Sequence, residues 1–414
     1  MKRRSTVAAI DVGSTKVAVI VGDLGEGGET RILGVGVAPA AGLSRGVIDN
    51  IQSAREAISI AVEKAEQSCG MRILSAVVGI SGNHVNSQNN RGIIAIPDRG
   101  RPINSDDRAR VLESAGQISI PTNRQVIHIL PRGYWIDGSD PVTNPIGMSA
   151  GRLDAETHIV TGAISAIQNL TKCVEGAGVQ VDDIVLESIA SATSVIEEQE
   201  RLQGVAVVDI GGSTTSIAVY DEGSIAHTVC LPMAGSQLTN DLARVLRCPW
   251  ENAEAVKCQY GAAYADRESE RDTVEIQAFG TQTRKAIPLV HICEILQART
   301  DEILEMVALE LKRAGYLDRI AAGLVLTGGT SQLKGLAEMA EARLGIPARL
   351  GRPRRYTGLT DLIGTPAYAT SIGLVEFSLQ GREPTATTAP LPIGNRGTSI
   401  VQRIISVGRA LMPQ

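Results

Sequence analysis

The 414-residue sequence predicts an α/β protein that repeats one strand–turn–strand hairpin, and three phrases carry that prediction. Near its start the chain reads Ile10-Asp11-Val12-Gly13-Ser14-Thr15-Lys16-Val17-Ala18-Val19. In its second half it reads Val208-Asp209-Ile210-Gly211-Gly212-Ser213-Thr214-Thr215-Ser216-Ile217-Ala218-Val219. Each is an apolar strand that stops at an acid, a sharp glycine turn, and a second strand. The third phrase, Leu324-Val325-Leu326-Thr327-Gly328-Gly329-Thr330-Ser331, runs from a strand through a glycine pair. It enters a helix carrying Leu333, Leu336, Ala340 and Leu344 at helical spacing.

The two turns have a common chemistry. Backbone amides at a glycine turn converge on a small space, and hydroxyls beside them add donors, which suits phosphate oxygens. Gly13, Ser14 and Thr15 supply one such concavity, and Gly211, Gly212, Ser213, Thr214 and Thr215 the other. Facing each other across a cleft, they would hold both sides of a polyphosphate. Asp11 and Asp209 end the strands beside those phosphates, where bare carboxylates would repel them. They are therefore read as ligands of Mg²⁺, acting through its waters. Lys16 adds a point charge for a phosphate. Gly328 and Gly329, without side chains, let a flat ring lie against the backbone, with Thr330 next in line. A single such turn is more often an ordinary hairpin; the repeat, with the third glycine phrase, is what points to a nucleotide.

Composition narrows the class. A chain of this length divides into two or more domains. Apolar residues at 43% suffice for globular cores, and no run approaches the roughly 18 apolar residues of a membrane-spanning helix. The basic Met1-Lys2-Arg3-Arg4-Ser5 start resembles an export signal, but the apolar run behind it meets Asp11 almost at once and reads as a strand. A net charge of −5 with two Phe and two Trp argues against nucleic acid as a partner. The six cysteines and five histidines show no metal-ligand spacing, so the thiols read as reduced and cytoplasmic.

Along the chain, residues 1–83 form the first part of the first lobe, ending in a helix over 53–68. The texture changes over 84–160: a polar turn at 87–91, a short strand at 93–96, a loop, a capped helix from Ser105 with Asp106 and Asp107 in its first turn, and two more short strands. This is read as a small inserted α+β subdomain. The first lobe resumes over 161–203, where Glu187 stands at the start of a helix. The second lobe begins at 204–234, and its own mostly helical insertion covers 235–320, including a long helix over 290–314. Glu254 and Lys257, three residues apart, share one helix face there. Residues 321–380 complete the second lobe and return to the first. Arg349, Arg352, Arg354 and Arg355 make a basic stretch, read as a solvated loop or a membrane-facing surface.

Residues 381–397 are rich in Pro, Thr, Gly and Ala, a flexible linker with a span of roughly 20 to 25 Å. The last segment, 398–414, is read as an amphipathic helix. Ile400, Val401, Ile404, Ile405, Val407, Leu411 and Met412 fall in one arc about 160° wide. Arg403 and Arg409 flank it, placed to reach lipid phosphates while their stems stay in the apolar layer. A helix docking onto the protein's own core is the other reading. The linker, and the lack of any acid after Glu383, favour the surface of an anionic membrane.

Three glycine motifs in this order resemble the actin-like ATPase superfamily of actin, DnaK-type chaperones, sugar kinases and MreB. The resemblance implies a two-lobed fold with ATP and Mg²⁺ in the cleft. By that resemblance Glu187 falls where relatives carry the acid that positions the attacking water; an acid favoured by the helix dipole is the alternative. Likewise Glu254 and Lys257 fall where chaperones contact the ribose, a surface ion pair being the alternative. Within the superfamily, Gly235-Ser236-Gln237-Leu238-Thr239-Asn240-Asp241-Leu242-Ala243, Gly358-Leu359-Thr360-Asp361-Leu362 and Pro366-Ala367-Tyr368-Ala369-Thr370, with the tethered tail, resemble the FtsA family of bacterial cell division proteins. That implies a peripheral protein on the cytoplasmic face of the inner membrane at the division site, polymerising with itself in the presence of ATP. It further implies that the FtsZ C-terminal peptide docks within 235–320 and that later division proteins meet the 84–160 insertion. A PilM-like pilus assembly adaptor and a small-molecule kinase of the same superfamily remain as alternatives, neither having use for a lipid-binding tail.

Overall fold

The computed structural model describes residues 6–381 except 26–27, 45, 98–100, 266–270 and 281–283. Gly381, expected to open the linker, instead ends a helix, and the rest of the expected linker and the tail helix lie outside the described residues. Among those described, no helix is long and apolar enough to cross a membrane.

Both lobes are built on the same hairpin. Val7–Val12 pairs antiparallel with Lys16–Leu24 and parallel with Ser75–Ile80. Val205–Ile210 pairs antiparallel with Thr215–Asp221 and parallel with Leu324–Thr327. The register agrees too: Asp11 stands opposite Ala18, and Asp209 opposite Ser216. The first sheet runs Gln180–Leu186, Ser75–Ile80, Val7–Val12, Lys16–Leu24, Thr30–Pro39, Tyr356–Gly358. The second runs Ser224–Leu231, Thr215–Asp221, Val205–Ile210, Leu324–Thr327, Ala348–Leu350. Their central strands are buried on both faces, which is why they read as unbroken apolar runs rather than alternating ones.

Two helices cross between the lobes, Glu187–Val195 and Ala369–Gly381. A side chain on Gly373 would put its Cβ 1.8 Å from the Ala190 carbonyl oxygen, so only glycine allows this approach. In the second lobe, helices Gly235–Leu246, Trp250–Tyr260 and Leu289–Arg313 share a separate apolar core with the sheet. A hairpin of Thr273–Gln277 and Arg284–Pro288 accompanies them.

The stretch after Gly82 is a third unit with its own core. Asn86–Ala95, Arg152–Ala163, Arg124–Ile136 and Pro141–Val142 form an antiparallel sheet, and helix Ser105–Gly116 packs on it. Asn104 caps that helix: the Asp107 amide donates to Asn104 Oδ1 at 2.9 Å, and the Asn104 amide donates to Asp107 Oδ2 at 3.1 Å. Three expectations are corrected here. The polar 87–91 segment is strand, not turn, because its backbone pairs with Arg152–Ala163 while its polar side chains bond across to the second lobe. Ser87 Oγ donates to the Thr228 carbonyl at 2.7 Å, and Asn89 Nδ2 to the Ala226 carbonyl at 3.0 Å. The two strands expected to be short span 13 and 12 residues, and their pairing continues through two register shifts.

The basic stretch is corrected at Arg349 alone. Arg349 lies in the strand Ala348–Leu350 and pairs with Glu200, Nη2 to Oε1 at 2.7 Å; Arg354 pairs with Glu197. Arg349 is thus half-buried and tied to the helix Glu198–Gln203, whereas Arg352, Arg354 and Arg355 are exposed, as a solvated loop predicts.

Candidate functional site: the interlobe cleft

The two hairpin turns meet tip to tip. A Cβ on Gly212 would lie 2.5 Å from Thr15 Cγ2 and 2.9 Å from Ser14 Oγ, so the turns touch across the cleft only because this position is glycine. Behind the contact opens a cavity of about 290 Å³, near the lower end of the usual range for small-ligand sites.

Its walls take Asp11, Gly13, Ser14, Thr15 and Lys16 from the first hairpin and Asp209, Gly211, Gly212 and Thr214 from the second. Gly328, Gly329 and Thr330 close one end, with Thr330 Oγ1 donating to the Gly211 carbonyl at 2.8 Å. Glu254 and Lys257 lie on the wall contributed by helix Trp250–Tyr260. Lys257 Nζ reaches Glu254 Oε2 at 2.7 Å and Thr239 Oγ1 at 2.9 Å, and Thr239 also donates to Glu254. Burial alone would raise the Glu254 carboxyl, but these two partners more than offset it and hold it low. An ion pair and a cavity wall are therefore the same residues here.

Two of the expected residues do not line the cavity. Thr215 begins its strand fully buried and donates to the Met233 carbonyl at 2.6 Å, while its neighbours Thr214 and Ser216 face the cavity. That is the alternation of a strand, which a reading by residue type alone does not resolve. Ser213 is buried at the turn, outside the lining. Conversely, the sequence assigned no site role to Trp250, Ser236, Ala367 or Thr370, all of which line the cavity. Ser236, Ala367 and Thr370 lie in the phrases 235–243 and 366–370 that carry the family resemblance, but no residue type there marks a contact with the cleft.

Charge in the cleft is unbalanced. Burial, and then the proximity of Asp11 and Asp209, push the Glu187 carboxyl well up, with a Ser81 hydroxyl bond opposing. Burial raises Asp209 to about 6; the bond from Thr370 lowers it and Asp11 raises it. Asp11 also rises through burial, against a Ser371 hydroxyl bond and the charge of Lys16. Lys16 falls to about 8 through burial, with Asp11 and Asp209 holding it up. Three partly to fully buried acids against one lysine on the same cavity wall are a donor set that fits a divalent cation. Among the described residues no three Asp, Glu, His or Cys side chains converge as a direct ligand cluster, so the acids suit a cation held through its waters and phosphate oxygens.

A second cavity of about 40 Å³ adjoins the first behind Ser14, Thr214 and Glu187. It has room for a water or two, with hydroxyls and a carboxylate at its wall.

A pair of β-hairpin lobes closing on such a cleft is the architecture of an actin-like fold. The chain aligns with the PilM–PilN type IV pilus biogenesis complex at a TM-score of 0.62 and 15% identity, over 90% of this chain and 98% of that one. It aligns with MreB5 of Spiroplasma citri bound to ADP at 0.55 and 14% identity, over 91% and 97%. At those identities the likeness is one of fold. Residues 206–373 match the family described as "Cell division protein FtsA", and residues 82–161 the "SHS2 domain inserted in FTSA". The chain is 43% identical to the cell division protein FtsA of Pseudomonas aeruginosa, over 90% of this chain and 89% of that protein. With FtsA of Neisseria meningitidis it shares 36% identity over 96% of both, and with that of Escherichia coli 33% over 90% of both. The chain belongs to the FtsA family of cell division proteins.

Proposed function

We propose that this chain binds ATP with Mg²⁺ in the interlobe cleft, polymerises with copies of itself, and anchors FtsZ filaments to the cytoplasmic face of the inner membrane. The observation that carries the nucleotide reading is the contact of two donor-bearing glycine turns, one from each lobe, in a chain of the FtsA family. The turn amides with Ser14, Thr15 and Thr214 would hold phosphate oxygens, and Lys16 would add a charge. Asp11 and Asp209 would hold the waters of Mg²⁺, which when bound neutralises the phosphates. The ring would lie by Gly328 and Gly329, with Glu254 and Lys257 toward the sugar. Glu187, with a water-sized cavity beside it, would orient the attacking water.

Hydrolysis is expected to be slow, because a scaffold needs a bound-state switch more than turnover. A rate on the order of 10 per second would mark a metabolic kinase instead. The FtsZ C-terminal peptide would dock within 235–320, and later division proteins on the 84–160 unit. The 398–414 helix would bind anionic lipid weakly, with stable attachment coming from many copies in one polymer.

Calorimetric titration with ATP tests the cleft. Wild type should bind with Mg²⁺, and Asp209→Ala, still folded, should lose the Mg²⁺-dependent part of the affinity. Unchanged binding in Asp209→Ala would remove the cleft assignment.

A further inference from the structure

One short turn touches three of the four charged groups in the phosphate half of the cleft. The chain returns from the second lobe through the 3-10 turn Pro366–Tyr368 and enters the helix Ala369–Gly381. Lys16 Nζ donates to the Ala367 carbonyl at 2.6 Å and sits 3.3 Å from the centre of the Tyr368 ring. Thr370 Oγ1 donates to Asp209 Oδ2 at 2.9 Å, and Ser371 Oγ donates to Asp11 Oδ2 at 2.6 Å.

The turn has little freedom to follow these groups. On the second-lobe side, the Pro366 carbonyl accepts from the Gly328 amide at 3.2 Å and from Thr327 Oγ1 at 3.3 Å. Beyond it, the helix is seated against Glu187–Val195 at the Gly373–Ala190 contact, and Ser194 Oγ donates to the Ala369 carbonyl at 2.8 Å. Buried carboxylates commonly find a hydroxyl. Here, however, adjacent residues of one helix turn reach the acids of opposite lobes, so a single rigid element fixes how the two carboxylates are turned and how far apart they stand.

We propose that Thr370 and Ser371 are positioning residues that set the two acids for the metal, making the 366–371 turn the element through which metal and nucleotide act on the lobe connection. This rests on the Mg²⁺–ATP reading above. Lys16 has one donor held by the Ala367 carbonyl and rests against the Tyr368 ring, so the turn also fixes where its charge stands. Loss of either hydroxyl leaves its carboxylate free to rotate, which weakens the metal-dependent part of binding and leaves direct phosphate contacts intact.

The test is ATP titration of the full chain in Mg²⁺ and again in EDTA, with Thr370→Val, Ser371→Ala and the conservative Thr370→Ser. Wild type should gain affinity from Mg²⁺. Thr370→Val and Ser371→Ala should each lose about tenfold of that gain, the size expected of one hydrogen bond to a charged group, with EDTA affinity unchanged. Thr370→Ser should restore it. A wild-type Mg²⁺ gain in both variants, or an equal loss in Mg²⁺ and EDTA, overturns the proposal. Should Thr370→Val fail to show a cooperative melting transition, Ser371→Ala carries the same two outcomes. No Mg²⁺ gain in wild type itself overturns the metal reading, and this one with it, before any variant is compared.

Discussion

Asp209→Asn should stabilise the nucleotide-free protein while removing its Mg²⁺-dependent ATP binding. Burial, with a lesser push from Asp11, lifts the Asp209 carboxyl from its ordinary 3.8 to about 6 despite the Thr370 bond. Above that pH the group is ionised in the folded and unfolded states alike, and the folded state bears the whole cost, at most about 3 kcal/mol. Below about 4 it is protonated in both, and the cost vanishes. The contribution of this group to stability therefore falls as pH rises from about 4 to about 6. Asn carries no charge and still offers Thr370 an acceptor. Thermal melting of both proteins without nucleotide reads the effect as a difference in midpoint, absent near pH 4, growing through pH 6 and constant to pH 8. The sign should reverse with Mg²⁺–ATP at about 1,000 times the wild-type Kd, which stabilises wild type by about 4.1 kcal/mol, more than that cost, while the variant has lost the Mg²⁺-dependent part of its affinity. A variant less stable than wild type at pH 8 without nucleotide, or a difference flat in pH, would refute the argument.

Lys16, lowered to about 8 by burial, should lose its proton as pH rises through that value, so ATP affinity should fall above pH 8. In Lys16→Met, affinity should be lower at pH 7 and flat to pH 9, as read by calorimetry. Gly373→Val must separate two helices now in backbone contact, at a cost of about 2–3 kcal/mol, visible as a lower melting midpoint even with ATP present. Ile404→Glu sets a charge in the middle of the tail's apolar arc, at a cost of about 2 kcal/mol or more per helix, and should abolish sedimentation with anionic liposomes. Replacing Arg403 and Arg409 with Gln should weaken that binding by about 1 kcal/mol per charge, with the difference lost at high salt.

The two hairpins and the glycine–helix turn were legible because each is local: an apolar run, an acid and a glycine turn lie within a dozen residues of one another. Thr215 was misplaced for the opposite reason. Which way a strand residue points depends on register, and Met233, its partner, is fixed only by the neighbouring strand. The 87–91 segment read as a turn because Ser87 and Asn89 are polar, and their partners Thr228 and Ala226 lie on another lobe. The same distance hid Thr370 and Ser371, whose carboxylates stand 161 and 360 residues away. Ordinary hydroxyl residues in a helix entry carry no mark of such contacts.

Fluorescent FtsZ on a supported anionic bilayer, with this chain, ATP and Mg²⁺, tests the tethering claim most directly. The full chain should bring FtsZ filaments to the bilayer. The chain lacking residues 399–414 should still bind ATP, yet leave FtsZ in solution. FtsZ recruited equally by the truncated chain, or a full chain that coats the bilayer without ever capturing FtsZ, would contradict the account.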